Sequence, residues 1–145
     1  MKIVLDANIF IAALLGSRAT LTIITSQHYI FYVPKIILEE IRKYKSFICG
    51  YSKQSSEEFD TNLNALLVLI NVLESIEYEP FMQESKVAMT RDIKDADYLA
   101  CALAIRADFI WTNDKDFSTQ HIILTKTTQQ FIDEGKYSQT HQFIL

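Results

Sequence analysis

The chain has 145 residues, with 14 Lys+Arg against 18 Asp+Glu and a formal net charge of −4. That length fits one domain, and a chain of this size buries roughly 68–70% of its unfolded surface, enough for a core without disulfide or metal staples. Apolar residues at 49% and charged residues at 22% exclude a disordered chain, 3 Gly and 2 Pro exclude collagen-like and turn-dense all-β classes, and the mild acidity offers none of the basic surface that nucleic-acid binders usually carry.

In chain order, Lys2-Ile3-Val4-Leu5 is a short apolar run that reads as a buried strand. It ends in Asp6-Ala7-Asn8, and a helical pattern follows through Leu15 with Gly16 as its stop. Residues 18–27 predict a second helix, and Tyr29 to Val33 a second strand. Pro34 suits the first turn of the next helix, where Ile37, Leu38, Ile41 and Tyr44 recur at helical spacing. Residues 46–56 read as irregular, 56–74 as a helix on the stripe Phe59, Leu63, Leu66, Leu67, Ile70 and Leu73, and Ser75 to Pro80 as a short strand. Helices are expected at 81–89, 93–106 and 127–134, with strands at Phe109–Thr112 and Ile122–Leu124. Strands alternating with helices predict a parallel sheet flanked by helices, an α/β domain.

Cys49 and Cys101 stand far apart and outside any CxxC pair, which points to a reducing, cytoplasmic compartment and away from zinc or thioredoxin-like motifs. The apolar N-terminal run is broken by Asp6 and Asn8, unlike the continuous core of a signal peptide. The run Leu63–Leu73 holds Asn64 and Asn71 and is far short of the ~20 residues of a membrane span. The expectation is a soluble protein with no membrane partner.

Four acids share one placement. Asp6 ends the first strand, Asp114 follows the strand Phe109–Thr112, Asp95 lies early in the helix that opens near Arg91-Asp92, and Glu40 lies in the helix after the second strand. In open α/β sheets the carboxyl ends of the strands form the ligand crevice. Clustered carboxylates repel one another, and a hard divalent cation such as Mg²⁺ or Mn²⁺ relieves that repulsion and activates phosphodiesters. No GxxxxGK[ST], GxGxxG, GxSxG or HExxH motif competes, and His28, His121 and His141 are scattered. Singly, each acid has an ordinary explanation: Asp92 and Asp95 as helix starts, Glu39 and Glu40 as a solvated face, Asp114 as a turn residue. Arg42, Lys43 and Lys45, with Lys53, Lys94 and Lys115, are candidates to track a phosphate backbone, and Tyr44, Tyr51 and Tyr98 to stack on bases.

The blocks Val4-Leu5-Asp6-Ala7-Asn8-Ile9-Phe10, Leu38-Glu39-Glu40-Ile41, Asp95-Ala96-Asp97-Tyr98-Leu99-Ala100-Cys101-Ala102 and Trp111-Thr112-Asn113-Asp114-Lys115-Asp116-Phe117 together resemble the PIN-domain family, in its order and over residues 4–117. The resemblance implies a Rossmann-like α/β/α sandwich with a central parallel sheet and an acidic pocket that binds Mg²⁺ or Mn²⁺ and cleaves RNA. Many small members are VapC-like ribonuclease toxins, commonly homodimers held inactive by a small antitoxin. Carried over by position, Asp6, Glu40, Asp95 and Asp114 would be the catalytic and metal-binding acids, with Asp116 auxiliary and Asn8 and Thr112 orienting carboxylates or water. Glu39 competes with Glu40, and Asp97 with Asp95. Two other readings stand beside the ribonuclease: a non-catalytic RNA- or protein-binding module, and a Mg²⁺ phosphatase with Asp6 as nucleophile, which the absence of a second Asp at position 8 disfavours. Removing the four proposed ligands leaves 14 acids, equal to the 14 Lys+Arg, so the whole excess charge is assignable to one pocket.

Overall fold

The computed structural model describes residues 1–89 and 93–135. Five strands, β1 (Lys2–Leu5), β2 (Ile30–Pro34), β3 (Ile70–Leu73), β4 (Phe109–Trp111) and β5 (Thr125–Lys126), form one sheet in the order β3-β2-β1-β4-β5. Every pairing is parallel. Ile3, Val4 and Leu5 are wholly buried, as expected of a central strand covered on both faces. The helices are α1 (Ala7–Leu14), α2 (Arg18–Ile24), α3 (Ile37–Ser52), α4 (Ser56–Leu69), α5 (Ser75–Tyr78), α6 (Met82–Ala88), α7 (Ala96–Ile105) and α8 (128–135). The result is a three-layer α/β/α sandwich. Among the described residues no single helix is long and apolar enough to cross a membrane.

The chain builds β1, β2 and β3 outward on one side, then returns to the other side of β1 with β4 and β5. The strand order therefore reverses between β1 and β4, and the crevice beyond their carboxyl ends is the place where such sheets bind ligands. Helix α7, with Ala96 and Tyr98 through Ala102 buried, packs across β1, β2 and β4 and brings its own N-terminus to that end. On the sheet, Phe131 of α8 lies against Phe109, Trp111 and Tyr29, with ring centroids 5.1, 4.9 and 5.3 Å away. The Trp111 indole N–H donates to Thr128 Oγ1 at 2.9 Å, which pins the start of α8.

Several elements differ from the sequence expectation, each for a local reason. Residues 70–73 form strand β3, not the end of a helix. Their apolar spacing suits either period, and pairing with β2 (Phe31 with Ile70, Val33 with Val72) decides it. The Asn71 side chain also donates to the Phe31 carbonyl at 3.2 Å. Ser75–Pro80 is helical, because Glu74 caps α5 and Glu77 reaches back to the Glu74 N–H at 2.7 Å, a capping box. Helix α3 runs on through 46–52, with Ile48 buried, and stops at Lys53 in a left-handed conformation, φ 56°. Pro34 closes β2 and lies outside α3. Helix α2 ends at Ile24, three residues early. The last strand is Thr125–Lys126, preceded by Leu124, whose carbonyl accepts from the Ile110 N–H. Arg91, Asp92 and His141 lie outside the described residues.

Phe131 holds α8 on the sheet by apolar contact alone. Phe131→Ala is expected to cost about 3–5 kcal/mol, read as a lower urea midpoint by fluorescence of Trp111, the single tryptophan. An unchanged midpoint would mean that Phe131 adds nothing to the core.

Candidate active site

Asp6 follows β1 directly, at the N-cap of α1. It is 2% exposed, and its Oδ2 accepts from the Thr112 hydroxyl at 2.7 Å. Thr112 is itself buried at the end of β4, so the bond spans the switch point. A relay continues from it: the Asp114 N–H donates to Thr112 Oγ1 at 3.0 Å, and the Asp116 N–H donates to Asp114 Oδ1 at 2.9 Å. Asp114 thus caps the 3₁₀ turn Lys115–Thr119, the ordinary turn role open to it, while its charge faces Asp6. Asp116 is half-buried in the same turn.

Glu40 lies in the first turn of α3. It is half-buried, and its Oε1 accepts from the Tyr98 hydroxyl at 3.2 Å. Tyr98 is 1% exposed and sits three residues after Asp95, hence on the same face of α7. Asp95 occupies the N-cap of α7 without its side chain capping the helix, and its Oδ2 is shielded from solvent. Asn8 is exposed, and it lines a cavity of about 290 Å³ with Ala7, Ile11, Glu40, Tyr44 and Phe47.

Electrostatics tie these groups together. Burial pushes the Asp6 carboxyl above its ordinary range. The Thr112 hydroxyl and the Asn8 and Ala7 backbone amides pull it back, and the Asp114 charge pushes it further up. Burial also raises Glu40 against the pull of the Tyr98 hydroxyl, with the charges of Asp6 and Asp97 adding to the rise and Lys43 opposing it. The Tyr98 phenol is raised, first by burial and then by Glu40, Asp6 and Asp95, so it stays protonated and acts as a donor. Asp6, Glu40, Asp95 and Asp114 therefore all act on one locality, although among the described residues no three His, Cys, Asp or Glu side chains converge into a ready-made metal cage.

The rival acids have other contacts, although the Asp97 charge also reaches Glu40. Asp97 Oδ2 accepts from the Tyr78 hydroxyl at 2.8 Å, and Asp97 and exposed Glu39 line a separate cavity of about 410 Å³ with Lys35, Arg42 and Tyr78. Burial, with Glu77 and Asp97 nearby, pushes the Cys101 thiol up to about 12, which makes it a poor nucleophile. His28 and His121 are exposed. Of the proposed backbone-tracking cations, Lys45 is committed to Asp60 at 3.1 Å, whereas Arg42 and Lys43 stand exposed on α3. Tyr98, a base-stacking candidate from the sequence, is instead buried in the core with only its hydroxyl reaching Glu40. Its i+3 spacing from Asp95 was the available signal.

The PIN domain family model matches residues 4–133, a span that holds every one of these residues. The chain belongs to the PIN domain family. Its fold is similar to that of VapBC2 from Rickettsia felis bound to a DNA fragment from their promoter, with TM-score 0.67, 17% identity, and coverage of 88% of this chain and 98% of that one. It is also similar to a toxin-antitoxin complex from Klebsiella pneumoniae, with TM-score 0.64, 19% identity, and coverage of 86% and 96%. Among curated proteins, none matches significantly. The PIN domain of this chain thus places a buried Asp where its sheet reverses direction.

Asp6 and Glu40 both titrate above their unfolded range. Between the unfolded and the folded values the native state holds more protons, so their contribution to stability falls as pH rises through the folded values. In chelator, Asp6→Asn is expected to raise the urea midpoint at neutral pH and to flatten this decline, because Asn still accepts from Thr112 without a buried charge. A midpoint below wild type at neutral pH would contradict the assignment of strain to Asp6.

Proposed function

We propose that this chain is a Mg²⁺- or Mn²⁺-dependent endoribonuclease, acting as the toxin of a toxin–antitoxin pair. The observation that carries the proposal is the buried Asp6 carboxylate at the β1/β4 crevice, held by Thr112 and acted on by Asp114, with Glu40 bonded to Tyr98 and Asp95 three residues before that tyrosine. The donor set is all oxygen and all acidic, which fits a hard divalent cation. Its openness fits too, since Mg²⁺ keeps several waters and takes one or two carboxylates. Asp6, Glu40, Asp95 and Asp114 would hold the ion, with Asp116 auxiliary.

When bound, such an ion supplies charge to stabilise the phosphodiester transition state and acidity to the attacking water. The chain's own residues do the positioning. Thr112 favours the ionised form of Asp6 against its burial and orients it, Tyr98 orients Glu40, and the Asp116 N–H orients Asp114 on the β4 side. Exposed Arg42 and Lys43 supply cations for the RNA backbone. Hydrolysis in this arrangement leaves a 5′-phosphate and a 3′-hydroxyl. A small antitoxin as partner is supported by the two structural neighbours, which are a VapBC protein and a toxin-antitoxin complex. Exposed Val68, Leu69 and Ile76, flanking edge strand β3, supply apolar surface for a second copy or for that antitoxin, in the cytoplasm. A second reading, a PIN fold that binds without turnover, is favoured by one observation: no three acids of the described residues converge on an ion.

Asp6→Asn is expected to lower Mn²⁺-dependent cleavage of single-stranded RNA by at least about a hundredfold, since several kcal/mol of stabilisation pass through the ion and each 1.36 kcal/mol is tenfold. The variant should keep its circular dichroism spectrum, and Glu39→Gln should cleave as wild type does. Equal cleavage by wild type and Asp6→Asn would remove Asp6 from the site. RNA binding that is unchanged in EDTA, with no cleavage at any Mn²⁺ concentration, would establish the binding-module reading instead.

A further inference from the structure

Helix α3 carries a second feature that the acidic site does not use. Glu40, Tyr44, Phe47 and Tyr51 fall at i, i+4, i+7 and i+11, one line along a helix surface. Beyond Glu40 the line is aromatic and outward-facing: Tyr44 is 51%, Phe47 63% and Tyr51 70% exposed. The Phe47 and Tyr51 rings are close to parallel, at an interplanar angle of 24° with centroids 6.1 Å apart. Three aromatic rings left in water on one helix face are a cost that folding alone does not explain, since the core of α3 is made by Ile37, Ile41 and Ile48.

We propose that this ridge is a stacking platform for the bases of single-stranded RNA, leading the strand into the acidic crevice. The inference rests on the ribonuclease reading and adds where and how the substrate lies. Continuity is the first argument. The cavity beside Asn8 and Glu40 is also lined by Tyr44 and Phe47, so the platform and the site share a wall. Charge is the second. Exposed Lys43 sits four residues before Phe47 and so beside the ridge, and from Ile41 to Lys53 the chain carries no acid. The residue type is the third. The ridge holds aromatic rings and no exposed aliphatic side chain, and every base offers a π-face to such rings whatever its identity. From Glu40 to Tyr51 the helix rises roughly 16 Å, the length of four or five stacked nucleotides at ~3.4 Å each.

The test measures fluorescence anisotropy of a labelled 12-nucleotide single-stranded RNA, with EDTA present so that binding is read apart from cleavage. Wild type, Phe47→Ala, Tyr51→Ala and Phe47→Trp are compared, together with Mn²⁺-dependent cleavage by each. All these positions are exposed, and circular dichroism checks folding. Each alanine variant should bind about tenfold or more weakly, since stacking is worth ~1–3 kcal/mol per base and 1.4 kcal/mol is tenfold. Phe47→Trp should restore or exceed wild-type affinity, and duplex RNA should be insensitive to all three changes. Wild-type affinity in both alanine variants would overturn the platform while leaving the cleavage reading intact. Tight, ridge-dependent binding without any cleavage would uphold the platform and overturn the ribonuclease. Failure of wild type to bind single-stranded RNA would overturn the platform as well. If instead the alanine variants only shift the oligomeric state in light scattering, the ridge is an interface between copies, and the platform is overturned.

Discussion

The hydrogen bond from the Thr112 hydroxyl to the Asp6 carboxylate joins the ends of two neighbouring parallel strands and holds a charge in the protein interior. Burying a carboxylate is unfavourable unless hydrogen bonds or charges compensate it. Here one hydroxyl and two backbone amides compensate in part, and Asp114 and Glu40 work against them. The fold therefore stores electrostatic strain at one point. That point is where the sheet reverses direction, which is where geometry leaves an open crevice. A divalent cation is the ligand class that this strain would favour.

The surrounding elements follow from that constraint. Helix α7 brings Asp95 and Tyr98 to the crevice because its small residues, Ala100 and Ala102 among them, let it lie close on the sheet. Tyr98 then donates to Glu40 from α3, so two helices on separate chain segments are registered by one phenol. Replacing Asp6 or Glu40 with its amide would relax the apo protein and weaken the proposed site, a trade between stability and function common at polar sites.

Much of this was legible in the residues. The strands β1, β2 and β4 were readable because fully buried parallel strands are short unbroken apolar runs, and the ends of β1 and β4 placed Asp6 and Asp114. The fold class followed from the alternation of strands and helices, and the four sequence blocks pointed to the PIN family. What stayed hidden depended on contacts distant in sequence. The run Ile70–Leu73 fits a helix or a strand until β2 lies beside it. Glu74 as an N-cap is readable only once α5 is known to exist. That Glu40 meets the Tyr98 hydroxyl and Asp97 the Tyr78 hydroxyl depends on how α3, α5 and α7 pack. Helical spacing places adjacent residues about 100° apart but does not say which one faces the crevice.

The central claim is that the carboxylates around Asp6 form one cation site. Its most direct test is a Mn²⁺ titration followed by electron paramagnetic resonance, comparing wild type with Asp95→Asn. Wild type should bind Mn²⁺ saturably and the variant markedly more weakly, with both proteins folded. Identical titration curves, or no saturable binding by wild type, would contradict it.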